Sequence, residues 1–134
     1  MKNAVNWFEI AVNDLERAVK FYEAVLRIEL RRETTEDLEL AIFPSDAEGA
    51  GGALSLSRHR APSPNGSLVY LNATGVLDEV LARIEPARGH VLLPKTDIGD
   101  PGFIALFSDS EGNVVGLHAP HDGPPGGASG ERGS

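Results

Sequence analysis

Trp7–Leu26, WFEIAVNDLERAVKFYEAVL, reads as a strand, a tight turn and an amphipathic helix. Side chains alternate along Trp7–Val12, so Trp7, Glu9 and Ala11 share one face and Phe8, Ile10 and Val12 the other. Asn13 is placed to cap the helix, with Glu16 three residues on completing a capping box. Leu15, Ala18, Val19, Tyr22, Val25 and Leu26 then form one apolar stripe at helical spacing. Packing that stripe on Phe8, Ile10 and Val12 leaves Trp7 and Glu9 on the opposite face. A strand with a helix outside and a carboxylate inside points to a curved sheet that encloses something.

Outward from this stretch the chain repeats itself. Ile28–Glu33, Leu38–Phe43 and Ala53–Ser57 read as three further strands, with Glu36 and Asp37 marking a turn and Pro44–Gly52 a mobile loop. Arg58–Gly66, RHRAPSPNG, is a polar connection. Leu68–Ala73 then reads as a buried strand and Val76–Ile84 as a helix ended by Pro86. Val91–Leu93, Phe103–Ser108 and Asn113–Ala119 supply three more strands, and Gly112 in DSEGN suits the positive φ of a hairpin turn. Glu9 and Tyr70 occupy matching places in the two halves. The expected architecture is α+β, two βαβββ modules forming a curved mixed sheet around a cleft. Residues 1–120 form a single domain, with modules at about 1–60 and 65–120. His121–Ser134, rich in Gly, Pro and Ser, is expected to be a flexible tail.

Composition narrows the function classes. The chain has 134 residues and a net charge of −8, which disfavours nucleic acid and anionic membranes. It has no cysteine, hence no thiolate nucleophile or cysteine zinc site. The start MKNAVNWFEI lacks the apolar run of a signal peptide, and no stretch approaches transmembrane length, so a cytoplasmic location is the expectation.

The segments FEIAVNDLERAVKFYEAVL and SDSEGNVVGLHAP, in this order on a duplicated pattern, resemble the vicinal oxygen chelate superfamily. That group includes glyoxalase I, extradiol dioxygenases, fosfomycin-resistance proteins and bleomycin-binding proteins. The resemblance covers roughly Val5–Pro120. It implies a homodimer, in which βαβββ units are sometimes exchanged between chains to build the clefts. It also implies four inward metal ligands, which fall on Trp7, Ser55, Leu68 and Gly116. Indole, hydroxyl, alkyl and hydrogen are not a donor set for zinc, nickel or calcium-like ions. The expectation is therefore no metal at that site and no cofactor.

Other residues on the inward rows could carry function. Glu9 lies two residues beyond Trp7, and His118 two beyond Gly116, each on the same strand face as its neighbour. If they converge, the carboxylate orients the imidazole and raises its basicity, giving a general base for a lyase or isomerase; the plainer role is a structural hydrogen bond. Trp7 and Tyr70 supply aromatic walls for a flat organic ligand or a cation, or simply pack in the core. Gly116 widens the cleft, and Arg58, with His59 and Arg60, sits at its mouth or in a solvated connection. The leading expectation is a small-molecule-binding protein contacting its ligand through Trp7, Ser55, Tyr70, Gly116 and Arg58. A Glu9/His118 enzyme, with or without a non-standard metal, and a structural module with a vestigial cleft are the competing readings.

Overall fold

The computed structural model describes residues 4–46 and 49–121. The first module runs β1 (Trp7–Ala11), α1 (Leu15–Leu26), β2 (Arg31–Thr34), β3 (Leu38–Ile42) and β4 (Gly51–Ser57). The second runs β5 (Tyr70–Asn72), α2 (Leu77–Ile84), β6 (His90–Asp97), β7 (Phe103–Ser108) and β8 (Val114–Ala119). The duplicated βαβββ order is therefore observed. Its strands form two separate four-stranded mixed sheets, ordered β1-β4-β3-β2 and β5-β8-β7-β6. In each, the module's first strand lies parallel to its last, and the remaining pairs are antiparallel.

The helix start differs from the sequence reading. Asp14, not Asn13, is the N-cap: its backbone is extended and its Oδ1 accepts the Arg17 N–H at 3.1 Å. The shift follows from Glu111, whose carboxylate takes the N–H groups of both Asn13 and Asp14 and so delays the first helical residue to Leu15. With Asp14 as the cap, the third helical position is Arg17, and the expected Asn13–Glu16 capping box does not form. Glu16 instead pairs with Arg32 of β2.

Several boundaries move for local reasons. Gly51 and Gly52, expected in a loop, open β4, where they pair with Trp7 and Phe8 of β1. A Cβ on Gly52 would lie 2.2 Å from the Phe8 ring, which occupies the space glycine leaves. β2 begins at Arg31 rather than Ile28, because Arg27 leaves α1 in the left-handed conformation (φ 59°) and the next residues cross back to the sheet. β5 is confined to Tyr70–Asn72, leaving Leu68 outside the strand, and only Leu71 of its three residues is buried. β6 is longer than expected and carries two register shifts, one between Val91 and Leu93 and one between Leu93 and Thr96, the second spanning Pro94, which cannot donate to the ladder. Gly112 has φ 90° and closes the β7–β8 hairpin as the sequence suggests.

One apolar core serves both modules. It takes Ile10, Val12, Ala41 and Leu54 from one sheet, Leu71, Ala105, Phe107, Val115 and Leu117 from the other, and the buried faces of α1 and α2 between them. Tyr22 shows the arrangement directly. Its ring meets Phe43 of the first module at 5.9 Å and Phe107 of the second at 6.4 Å. Phe21, which lies off the single apolar stripe, is also buried, because α1 is covered from a second side by Phe107. The rows carrying Trp7 and Glu9, and Tyr70 and His118, therefore look away from the core they share.

Of the expected tail, His121 is ordered by contact. Its Nε2 meets Asp97 Oδ1 at 2.9 Å and its ring packs edge-on against Phe103. Residues 122–134, and residues 47–48 of the expected mobile loop, lie outside the described residues. Among the described residues no helix is long and apolar enough to cross a membrane.

Candidate functional site

The outward row of the first sheet places Trp7, Glu9 and Ala11 beside Gly51, Ala53 and Ser55. The Trp7 indole lies over Gly51, where a Cβ would come within 3.3 Å of the ring. Its Nε1–H donates to Glu9 Oε2 at 3.0 Å, and the ring remains 44% exposed. Glu9 turns its second oxygen toward Arg60, whose Nη1 stands 3.9 Å from Oε1. Arg60 is held near by a β-bridge with Ser57 at the end of β4. Beside them lies a cavity of about 160 Å³, bordered by Glu9, Arg60, Ser63, Ser67 and Val114. Ser55 is 1% exposed, and its Oγ has no hydrogen-bond partner among the described residues.

The outward row of the second sheet holds Tyr70, Asn72, Gly116 and His118. The Tyr70 ring covers Gly116, where a Cβ would lie 2.4 Å away. Gly116 therefore does not widen a cleft, as its small size suggested; it makes room for an aromatic platform that is itself 42% exposed. His118 Nε2–H donates to the Pro101 carbonyl in the β6–β7 hairpin. Asn72 directs its Oδ1 to the Thr74 N–H at 3.0 Å.

The expected convergence of Glu9 and His118 does not occur within the chain. They belong to different sheets, and each is already engaged, Glu9 by Trp7 and Arg60, His118 by Pro101. Among the described residues no carboxylate is paired with the imidazole. Arg58 borders a groove with Glu36 and Leu38, and Arg60 is the arginine whose guanidinium stands beside Glu9. Among the described residues, no group of three or more His, Asp or Glu side chains is placed to hold a metal ion. Leu68 is exposed, lining a groove of about 660 Å³ between the modules with Phe8, Leu71, Val76 and Val80.

The modules are locked together at the turn 109–113. The Glu111 side chain is buried; Arg17 donates to it through Nε (2.7 Å) and Nη2 (2.9 Å), and the Asn13 and Asp14 amides at 2.9 and 3.0 Å. Burial disfavours the ionised Glu111, but the hydrogen bonds from Arg17, Asn13, Asp14 and Ser110 outweigh it and hold the carboxyl below its ordinary value. Asn113 Nδ2 donates to the Ala11 carbonyl at 2.8 Å, and Tyr22 Oη donates to Asp109 Oδ2 at 2.7 Å.

The sequence held a signal for this turn that the reading above did not use. Ser45–Gly49 is SDAEG and Ser108–Gly112 is SDSEG. Aligning the two makes Ser55 the counterpart of His118 and Ala53 the counterpart of Gly116. The strand register agrees: Ala53 faces Glu9 as Gly116 faces Tyr70, and Ser55 faces Ala11 as His118 faces Asn72. Ser55 and Gly116, paired by analogy with metal-binding relatives, are not equivalent positions in the ladders.

Comparison with known proteins assigns the chain on this fold. The model of the Glyoxalase/Bleomycin resistance protein/Dioxygenase superfamily matches residues 4–117. The chain belongs to that superfamily. A superfamily member from Frankia sp. EAN1pec, a glyoxylase/bleomycin resistance protein/dioxygenase domain, superposes with a TM-score of 0.69 at 16% identity, covering 90% of this chain and 99% of that one. TnmS3, an antibiotic binding protein from Streptomyces sp. CB03234, is 26% identical with a TM-score of 0.63, over 90% of this chain and 98% of its own. CFP32 of Mycobacterium tuberculosis, provisionally named a glyoxylase, is 26% identical over 127 residues, which is 84% of this chain and 44% of CFP32. The chain thus spans about half the length of the curated relatives it matches.

Proposed function

We propose that this superfamily member binds a small organic molecule, without the divalent metal of its metal-dependent relatives, in a cleft that two copies of the chain build together. The observation that carries the reading is the direction of the two aromatic platforms. Trp7 and Tyr70 sit on sheet faces turned away from the shared core, each more than two-fifths exposed, at the outer strands β1 and β5. Outer strands with exposed apolar side chains are poor solvent surfaces and good pairing edges. A twofold assembly that sets β1 of one copy beside β5 of the other would join the Trp7–Glu9 face to a Tyr70–Asn72–His118 face. Apolar walls with a few polar groups are the usual make-up of a small-molecule site.

The metal-independent part rests on donor chemistry. Trp7, Leu68 and Gly116 offer no ligand atom, the Tyr70 ring occupies the space beside Gly116, and a single serine hydroxyl cannot hold the ion. The likeness to an antibiotic binding protein supports the ligand class: an organic molecule rather than an ion. Glu9 and His118, engaged separately, supply no acid–base pair within one chain, so the binding reading is preferred to a lyase or isomerase. Native mass spectrometry with elemental analysis tests the proposal. The expected species is a metal-free dimer that retains small organic ligands. A monomer at micromolar concentration counts against the shared cleft, and stoichiometric zinc, nickel or iron counts against the metal-independent part.

A further inference from the structure

The arrangement around Glu9 points to the chemical class of the ligand and to the residue that selects it. We propose that Glu9 receives a cationic nitrogen carried by a flat aromatic body, and that Arg60 is a displaceable stand-in for that cation. The inference rests on the small-molecule reading above and deepens it.

Among the described residues, Glu9 is hydrogen-bonded on one side only. Oε2 accepts the Trp7 indole N–H at 3.0 Å, which fixes the carboxylate against the ring. Oε1 faces Arg60 Nη1 at 3.9 Å, too long for a hydrogen bond, and the Arg60 side chain is half exposed. Such a pair neutralises charge at small energetic gain, so a better-placed donor can replace it. The indole beside it lies over Gly51 and Trp7 is 44% exposed. A planar ligand stacked there brings an amidinium or ammonium N–H to Oε1, gaining a charge-assisted hydrogen bond and a cation–π contact together. The net charge of −8 favours a cationic visitor over an anionic one.

Three isosteric probes separate the possibilities: benzamidine (cationic), benzamide (neutral) and benzoate (anionic), titrated against the fluorescence of Trp7, the chain's single tryptophan. Benzamidine is expected to bind at least about tenfold more tightly than benzamide, with benzoate weakest. Glu9→Gln, which preserves an acceptor for the indole N–H, should abolish the preference while leaving benzamide affinity within about twofold. Arg60→Ala should tighten benzamidine severalfold and leave benzamide unchanged. Circular dichroism and thermal melts establish that both variants fold. Equal binding of benzamidine and benzamide, or a preference that survives Glu9→Gln, overturns the inference and leaves the small-molecule reading standing. Silence toward all three probes, repeated by calorimetry, overturns both.

Discussion

The buried carboxylate of Glu111, in the second module, is clamped by Arg17 of the first through two hydrogen bonds, Nε to Oε2 and Nη2 to Oε1. The same carboxylate caps the amides that precede α1, so one side chain both starts a helix and joins the halves. Glu111→Gln keeps the size but loses the charge, and its amide nitrogen faces donors it cannot accept from. We expect a loss of about 1–3 kcal/mol in urea unfolding, the cost of stranding charged and backbone donors.

The same carboxyl predicts an acid response. Its folded pKa lies below the ordinary value, so its stabilising contribution is complete above the ordinary carboxylate range and is lost as pH falls through the lowered folded value. Wild type should therefore lose stability on acidification in that window, and the glutamine variant should lose less. Equal pH slopes for the two proteins, measured by urea midpoints, would contradict this.

Tyr22 gives the alkaline counterpart. Burial, then the neighbouring charge of Asp109, pushes its phenol well above the ordinary tyrosine value. A folded pKa above the unfolded one means the contribution is intact below pH 10 and fades as pH rises toward the folded value. In a spectrophotometric titration, Tyr22 should ionise only together with unfolding. Tyr22→Phe leaves Asp109 Oδ2 with the Asn113 amide alone and should cost about 1–2 kcal/mol.

Two glycines support aromatic rings, and their substitutions should separate stability from binding. Gly52→Ala drives a methyl into Phe8, which packs against the core, and should destabilise by about 1–3 kcal/mol. Gly116→Ala meets Tyr70, whose ring is half exposed and can swing outward. It should cost less in thermal melts and show itself as weakened ligand binding. The reverse ranking would mean that Tyr70, not Phe8, is the buried partner.

Added zinc or nickel should leave the melting temperature unchanged. A specific site loaded at a hundredfold over its dissociation constant stabilises by about 2.7 kcal/mol, a shift easily seen in a thermal melt. A saturable rise in melting temperature would show that donors outside the expected positions assemble a site.

The duplicated module order, the apolar stripe and C-terminal end of α1 and the hairpin at Gly112 were legible in the residue pattern, because periodicity and turn chemistry are local. So was the placing of Trp7 and Glu9 on one face, since alternation along a strand determines it. Local rules could not choose between Asn13 and Asp14 as the cap. That choice belongs to Glu111, far along the chain, and only folding brings it there. Nor could they show that Tyr70 fills the space over Gly116, or that Arg60 rather than Arg58 meets Glu9. Both depend on strand register and on the path of a connection, which cross-strand hydrogen bonds and packing decide. The separation of Glu9 from His118 has the same origin. Each lies on its expected sheet face, but how the two sheets meet is set by the helices packed between them, and no periodicity within one strand encodes that.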